Sequence, residues 1–355
     1  MNRALSLAAV SCAAAGWVFA QQPRISNARN ETRAVSGGLE QTYRSILSAQ
    51  SSPAWLGYEV PIVAGDHQMC CWNDNVRGCW LEPKSEGRVI VVANNQPVKL
   101  EGPQSLVILF RVSNHQTDKI RVFTPECELD AGGLPFIWLT GVNPDQSIRM
   151  LLTMAKDTSA GSHEEMRKSD SAVTAIALHA DPAADSALQE LLAANQPDQV
   201  RRQAIFWLGN ARGKRGYELV SKIVREDPNA KIREHAIFAL TQSKEPGAID
   251  VIVSVAHSDT NPSVRGQALF WLAQRASKKI AESAINDAIA NDPETDVKKK
   301  AVFALTQMPS SEGVPLLIQV VRTNKNAEVR KQAMFWLGQS KDDRALKFIE
   351  DVLKQ

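Results

Sequence analysis

A ten-residue segment recurs in five copies along the C-terminal half of the chain, with a period of 32 or 33 residues. Each copy opens with Val or Ile and keeps Ala, Phe and Leu at fixed steps; the copies begin at Val200, Ile232, Val264, Val297 and Val329. Periods of this length are typical of stacked helical repeats, because one small unit can bury its apolar faces only against its neighbours. The repeat therefore predicts a curved rod of helices with a continuous core.

Each copy predicts the first helix of a helical hairpin. Apolar residues stand at steps 0, 4, 5 and 8 of the copy, which is the spacing of one helix face. Three copies follow a cap residue and a proline suited to the first turn: Asp227-Pro228, Asn261-Pro262 and Asp292-Pro293. A second amphipathic segment follows each copy, for example at residues 217–224, and a fainter unit at residues 168–194 starts the array. We expect the second helices to line a concave groove.

The motif Val-Arg-x-x-Ala-x-x-x-Leu after an Asp/Asn-Pro start resembles the bacterial HEAT-like repeat family, including the group named after the phycobilin lyases. The resemblance covers about half of the chain and implies a mainly α protein, an α-solenoid of about six hairpins at residues 167–355. The layout, with Cys127-Glu-Leu-Asp-Ala-Gly-Gly before repeats that end in Phe-Trp-Leu-Gly-Gln-Ser, also resembles uncharacterised HEAT-repeat proteins of the bacterial envelope. Most members are scaffolds or adaptors and a few are lyases, so the resemblance implies an interaction protein.

Residues 1–20 have the pattern of a secretory signal peptide. Arg3 precedes a mostly apolar run that ends in small residues before Gln21. An uncleaved anchor and a lipoprotein site at Cys12 are the alternatives. We therefore expect a periplasmic or secreted protein with no membrane span after cleavage.

The residues between the signal and the repeats predict a second, smaller domain. We divide them into a polar tether with a short helix (21–52), a β-rich domain (53–142) and a connecting helix (143–166). Three segments of the β-rich domain have the apolar runs of strands: residues 88–93, 105–112 and 119–123. About 90 residues supply only a modest core, which disulfides would reinforce.

Four cysteines remain after the signal is removed: Cys70, Cys71, Cys79 and Cys127. In an oxidising compartment we expect two disulfides. A bond between the adjacent Cys70 and Cys71 would be strained, so Cys79 pairs with one member of that couple and Cys127 with the other. A four-cysteine metal site is the alternative, but the spacing lacks paired C-x-x-C knuckles, and we predict no metal.

Two side-chain rows run through the repeats. The step after each opening residue is basic, which predicts a structural ladder that bonds the adjacent turn: Arg201, Arg233, Arg265, Lys298 and Arg330. The sixth step is always Phe, about 160° from the centre of the core face: Phe206, Phe238, Phe270, Phe303 and Phe335. Full exposure of five Phe side chains would forgo about 10 kcal/mol of hydrophobic stabilisation, so we expect each ring to be partly buried. These rings either pack between adjacent first helices or form a stripe that binds a partner.

The seventh step alternates between large and small residues: Trp207, Ala239, Trp271, Ala304 and Trp336. Large and small residues interdigitate well, so packing explains the alternation. The duplicated unit is therefore about 65 residues long, or two hairpins.

Charge and motifs exclude several classes of function. The chain has 41 basic residues, one of them in the signal, and 39 acidic residues, divided almost evenly between its halves, so we expect neither nucleic-acid binding nor electrostatic steering. We find no phosphate loop, nucleophile elbow or paired-His helix, and predict no catalytic residue, cofactor or small-molecule substrate. Glu126, Glu128 and Asp130 are candidates for Ca²⁺, but alternating acids at a strand end favour a solvated face.

These observations predict an exported scaffold or adaptor that binds a protein or peptide through its solenoid. A chromophore lyase or isomerase, implied only by the family name, and a structural envelope component are the alternatives.

Overall fold

The computed structural model describes residues 24–73, 76–83, 103–158 and 161–354. The predicted signal peptide and the predicted strand at residues 88–93 lie outside the described residues. Within the described part the protein is mainly helical, with a β-rich N-terminal region, which confirms the predicted fold class. None of the helices described there is long and apolar enough to cross a lipid bilayer.

The N-terminal region contains two stacked sheets. Its strands are β1 (Ile25–Ser26), β2 (Arg29–Ala34), β3 (Ala54–Pro61), β4 (Trp72–Asn73), β5 (Val76–Trp80), β6 (Ser105–Ser113), β7 (Gln116–Phe123), β8 (Glu128–Asp130) and β9 (Pro135–Thr140). The larger sheet has the order β2-β9-β3-β6-β7 and the smaller one β1-β8-β5-β4. The apolar run of β6 is buried on both faces, because Val107 and Leu109 point toward the smaller sheet and Ile108 and Phe110 toward the helices.

The predicted tether is wrong for most of its length. Residues 25–26 and 29–34 form β1 and β2, which pair in parallel with β8 and β9. Both are edge strands, and every side chain of β2 is exposed, so their sequence lacks the apolar alternation of a half-buried strand. The predicted short helix is present as α1 (Leu39–Ala49).

The solenoid consists of stacked antiparallel helices in two layers. After α2 (Pro144–Lys156), the helices of the inner layer are α3 (His163–Leu178), α5 (Asp198–Ala211), α7 (Ala230–Gln242), α9 (Pro262–Arg275), α11 (Thr295–Leu305) and α13 (Ala327–Gln339). Those of the outer layer are α4 (Ala183–Leu191), α6 (Gly213–Glu226), α8 (Ala248–Ser258), α10 (Lys278–Asn291), α12 (Ser310–Thr323) and α14 (Asp343–Leu353). Together they form the six hairpins that the sequence predicts.

The two layers differ in how closely their helices approach one another. Neighbouring helices of the inner layer contact each other extensively, whereas those of the outer layer contact each other much less. The approach is tight between α5 and α7, where a Cβ at Gly209 would lie 2.3 Å from the carbonyl oxygen of Ala239. A two-layer stack bends toward its more closely spaced layer, so the first helices lie on the concave side. The expectation that the second helices line the groove is wrong.

A single apolar core runs from the larger sheet through the last hairpin, from Leu39 to Phe348. The β-rich region and the solenoid are therefore not joined by a free linker. A buried chain of hydrogen bonds also connects them: the Tyr58 hydroxyl donates to Ser147 Oγ (2.8 Å), and Ser147 donates to His179 Nε2 (2.9 Å). His179 Nδ1 donates to the carbonyl of Ala175 (2.6 Å), so every member of the chain is satisfied.

The two disulfides are Cys70–Cys127 and Cys71–Cys79. They lie side by side between the sheets, because Cys79 is in β5, Cys127 precedes β8 and these two strands pair; the Sγ atoms of Cys79 and Cys127 are 3.9 Å apart. All four sulfurs are covalently bonded and are not free thiolate ligands.

The acidic residues around Cys127 do not form a solvated face. Asp130 is buried, and its carboxylate accepts hydrogen bonds from Asn27 Nδ2 (2.5 Å) and the backbone N–H of Gly132 (2.8 Å). Glu128 forms an ion pair with Arg24 at 3.6 Å. Asp130 thus holds the N-terminal strands and the turn after β8 in place, contrary to the solvated face that the sequence suggested.

Candidate functional site on the inner layer

The five Phe residues of the repeat lie on the inner layer and contact one another through their rings. Phe206 stacks on Phe238 with centroids 5.9 Å apart, and Phe270 stacks on Phe303 at 6.1 Å. Trp271 joins the two pairs, because its ring lies 5.0 Å from Phe238 and 5.1 Å from Phe270. We call the continuous series the aromatic row; it contains Phe206, Trp207, Phe238, Phe270, Trp271, Phe303, Phe335 and Trp336.

The aromatic row is neither core nor fully exposed. Four of its Phe rings are half-buried, and Phe335, on the last inner helix, is 54% exposed. Each stacked pair covers one face of each of its rings, and the rings stay partly accessible to solvent. The structure therefore contains the packing that the sequence suggested, and it leaves an apolar surface on which the partner-binding role stays a prediction.

The alternation of Trp and Ala has a direct packing cause. Trp271 and Trp336 each lie against a Phe of the preceding inner helix, and Trp207 donates its indole N–H to Thr174 Oγ1 of α3 at 3.0 Å. The intervening Ala239 and Ala304 are fully buried. Large residues on α5, α9 and α13 thus reach back over the preceding helix, which gives the unit of two hairpins.

A row of amide side chains borders the aromatic row, and our sequence interpretation missed it. Each amide follows its Phe by four residues, about the length of one helical turn: Asn210, Gln242, Gln274, Gln307 and Gln339. Gln274 Nε2 donates to Gln307 Oε1 at 3.2 Å, which links α9 to α11. The signal was available at the tenth step of the repeat. We call this set the amide row.

The other border of the aromatic row is rich in basic residues. The residues four positions before each Phe are Arg202, Glu234, Gly266, Lys299 and Lys331. The five inner helices α5 to α13 carry eleven basic and four acidic residues, a net charge of +7, whereas the five outer helices α6 to α14 carry nine of each. The charge is therefore divided between the layers, which a comparison of the two halves of the chain does not show.

The residues assigned to the ladder point away from this face, into the loops between repeats. Arg233 binds both carboxylate oxygens of Asp259 at 2.8 Å, and Arg265 binds those of Asp292 at 2.7 and 2.9 Å. Arg201 pairs with Asp227 in the same way, without the second bond. Lys298 and Arg330 instead donate to backbone carbonyls. Burial alone would raise the pKa of Asp259, but the bonds from Arg233 outweigh it and lower that pKa.

Between α5, α7 and α9 the inner face forms an open groove of about 440 Å³, lined among others by Arg202, His235, Phe238 and Trp271. His235 donates from Nε2 to the backbone carbonyl of Arg202 at 2.9 Å. Burial lowers the pKa of His235, so the ring is neutral at physiological pH. The groove combines aromatic and amide groups with two basic and two acidic side chains: Arg202, Lys231, Asp198 and Glu234.

One of three comparisons with known proteins identifies the repeat type. A family model for HEAT repeats matches residues 217–286 and 282–355, which confirms the predicted repeat type. No curated protein matches the chain. Among solved structures, human deoxyhypusine hydroxylase in complex with glycerol is 16% identical, with 59% of this chain and 76% of that chain covered and a TM-score of 0.29. The complex of CpcE and CpcF of phycocyanin lyase from Nostoc is 22% identical, with 45% and 100% covered and a TM-score of 0.33.

Proposed function

We propose that this chain of HEAT repeats is a polypeptide-binding protein whose partner docks along the inner layer. One observation carries the proposal: a continuous aromatic row, bordered by the amide row and by basic residues, lies on the side toward which the solenoid bends. Solenoids typically use their concave surface for binding, since it offers a long, continuous contact. Aromatic side chains are also enriched at the centres of protein interfaces.

The position of the Phe residues supports binding over a purely structural role. The core of each hairpin is already filled by the buried Val, Ala and Leu of the repeat, and the Phe stands on the far side of the helix. The partly exposed rings leave apolar area that a bound chain would remove from water, at about 25 cal/mol per Å². A continuous apolar strip with polar borders is typical of an interaction surface.

Export is the second part of the proposal. The apolar run after Arg3 supports a cleaved signal, and two disulfides in the β-rich region support an oxidising compartment. The test is to express the full chain in a Gram-negative host and to measure the intact mass in each fraction. We expect a periplasmic species that begins at Gln21. A full-length species confined to the cytoplasm would contradict export.

Binding is tested with fluorescein-labelled peptides of twelve residues in which Leu alternates with Glu, Gln or Lys. Fluorescence anisotropy with the purified protein is expected to give a dissociation constant in the micromolar range for at least one of them. Phe238→Ser with Phe303→Ser should weaken that binding at least tenfold. The matched control is Ile280→Ser with Leu346→Ser, which changes two exposed apolar residues of the outer layer and should leave binding unchanged.

Circular dichroism and urea unfolding report whether the variants are folded. Phe335→Ser is the second test of the same row, since this ring is 54% exposed and its loss costs little stability. A folded Phe335→Ser protein with threefold or greater loss of affinity supports the proposal. If none of the three peptides binds, or if the folded inner-layer variants bind as well as the parent protein, the proposed function is wrong.

A further inference from the structure

The inner layer also carries information about the chemistry of its partner. We infer that it binds an acidic polypeptide segment in an extended conformation, with the main chain against the amide row and carboxylates toward the basic border. This inference rests on the proposed function and names the class of partner. Charge, hydrogen-bonding groups and length each support it.

The charge of the inner layer complements an acidic chain. Five of its eleven basic residues belong to the ladder and point away from the aromatic row, which leaves six basic and four acidic residues, a net charge of +2, on the five inner helices. Lys299 and Lys331 stand beside the aromatic row, and their pairs with Asp296 (3.6 Å) and Glu328 (3.0 Å) are exposed. Exposed pairs of this kind contribute at most about 1 kcal/mol and exchange readily for another carboxylate.

The amide row matches a peptide main chain. Each primary amide has two N–H donors and one carbonyl acceptor, so it can bond both the C=O and the N–H of an extended chain. The Gln274–Gln307 hydrogen bond shows that amides of adjacent helices meet, although Gln274 is exposed and this bond can open. Main-chain hydrogen bonds supply affinity in peptide-binding grooves, and side-chain contacts supply selectivity.

The dimensions fit a strand of about ten to twelve residues. Side chains on one side of an extended chain recur about every 6.7 Å, close to the 5.9 and 6.1 Å between stacked ring centroids. Five helices packed about 8–10 Å apart span about 32–40 Å, the length of ten to twelve extended residues. An alternating peptide of twelve residues is therefore the appropriate probe.

The first experiment compares the three alternating peptides at low salt by fluorescence anisotropy. We expect the Glu/Leu peptide to bind at least tenfold more tightly than the Gln/Leu peptide, and the Lys/Leu peptide to bind most weakly. A Glu/Leu peptide with N-methyl groups on alternate residues should bind tenfold or more weakly, since those residues no longer have a main-chain N–H to donate. Two further probes should bind at least tenfold more weakly than the alternating Glu/Leu peptide. One is a peptide of the same composition whose Leu residues have the spacing of one helix face, and the other is a thymidine dodecanucleotide.

Matched variants test the contributions of the basic residues and of the amide row to peptide affinity. Lys299→Gln with Lys300→Gln and Lys331→Gln should remove most of the preference for Glu over Gln, whereas the outer-layer control Lys214→Gln with Lys279→Gln and Lys347→Gln should not. Gln242→Ala with Gln274→Ala and Gln307→Ala should lower the affinity for the unmodified Glu/Leu peptide. The same variant should have little further effect on the affinity for the N-methylated peptide. Asn286→Ala with Gln319→Ala, on α10 and α12, is the control for loss of amides.

The outcomes separate the inference from the proposed function. Equal binding of the Glu/Leu and Gln/Leu peptides, reduced by Phe335→Ser, overturns the acidic specificity and leaves the proposed function standing. Tighter binding of the helical-order peptide overturns the extended conformation, and tighter binding of the oligonucleotide overturns the polypeptide class. If none of the peptides binds, both the inference and the proposed function fail.

Discussion

Phe270 on α9 and Phe303 on α11 stack with their ring planes 10° apart, and Trp336 of α13 lies 5.1 Å from the second of them. Phe303 is therefore a half-buried ring between two aromatic neighbours, whereas Phe335 has one aromatic neighbour, Trp336, among the described residues. The two Phe residues occupy the same step of the repeat and differ mainly in burial. They provide a direct measure of how much the aromatic row contributes to stability.

We predict that Phe303→Ala lowers the free energy of unfolding by about 2 kcal/mol, because it removes a half-buried ring and leaves its neighbours uncovered. Phe335→Ala should cost less than about 1 kcal/mol, since its ring is 54% exposed. Urea unfolding followed by circular dichroism measures both. Equal losses for the two variants would show that the row does not pack as described.

Replacement of a ladder residue by Ala should lower the stability of the fold far more at Arg233 than at Lys298. Arg233→Ala leaves the carboxylate of Asp259 without its principal partner in a site where only 5% of that side chain is exposed, at a cost of about 3–5 kcal/mol. Lys298 donates only to the exposed carbonyl of Ala290, so Lys298→Ala should cost less than about 1 kcal/mol. The measurement is again urea unfolding at pH 7. A variant of Arg233 as stable as the parent protein would contradict the structural role of the ladder.

The same ion pair predicts a loss of stability in acid. The pKa of Asp259 is lowered in the folded state, so its contribution is present above the ordinary carboxyl value of 3.8 and is lost as the pH falls below it. The difference in stability between the parent protein and Arg233→Ala should therefore shrink below pH 4. Unfolding curves at pH 7, 4 and 3 test this, and a constant difference over that range would exclude it.

His179 predicts a second pH effect at higher pH. Burial lowers its pKa from 6.5 to about 4, so the folded protein holds it neutral while the unfolded chain takes up a proton. Stability should fall as the pH decreases from 6.5 to about 4, by roughly 3 kcal/mol in total. His179→Gln should be less stable at pH 7 and should lack this pH dependence. Identical pH profiles for the two proteins would contradict the prediction.

The two disulfides should contribute unequally. Cys70–Cys127 spans 57 residues and Cys71–Cys79 spans eight, so the longer loop restricts the unfolded chain more strongly. We expect Cys70→Ser with Cys127→Ser to cost about 1.5 kcal/mol more than Cys71→Ser with Cys79→Ser. Urea unfolding compares the two, and a peptide map without reductant establishes the pairing. A map that links Cys70 to Cys79 would refute the connectivity.

The solenoid was predictable because its determinants are local. A period of 32 or 33 residues is visible without any structure, and helix geometry converts steps 0, 4, 5 and 8 into a buried face. The amide row was equally readable, because an Asn or Gln stands at the tenth step of every copy. The edge strands β1 and β2 were not readable, since their side chains are exposed and only pairing with β8 and β9 makes them strands.

By itself the sequence determined the number of hairpins, the face of each helix that is buried and the step occupied by each Phe, because these depend on residues one or two turns apart. The tertiary structure decided which layer is concave, which cysteines pair and that the sheet and the solenoid share one core. These properties depend on distances between segments that are far apart in the chain. Small residues such as Gly209, which let one helix approach the next, become meaningful only once the helices are stacked.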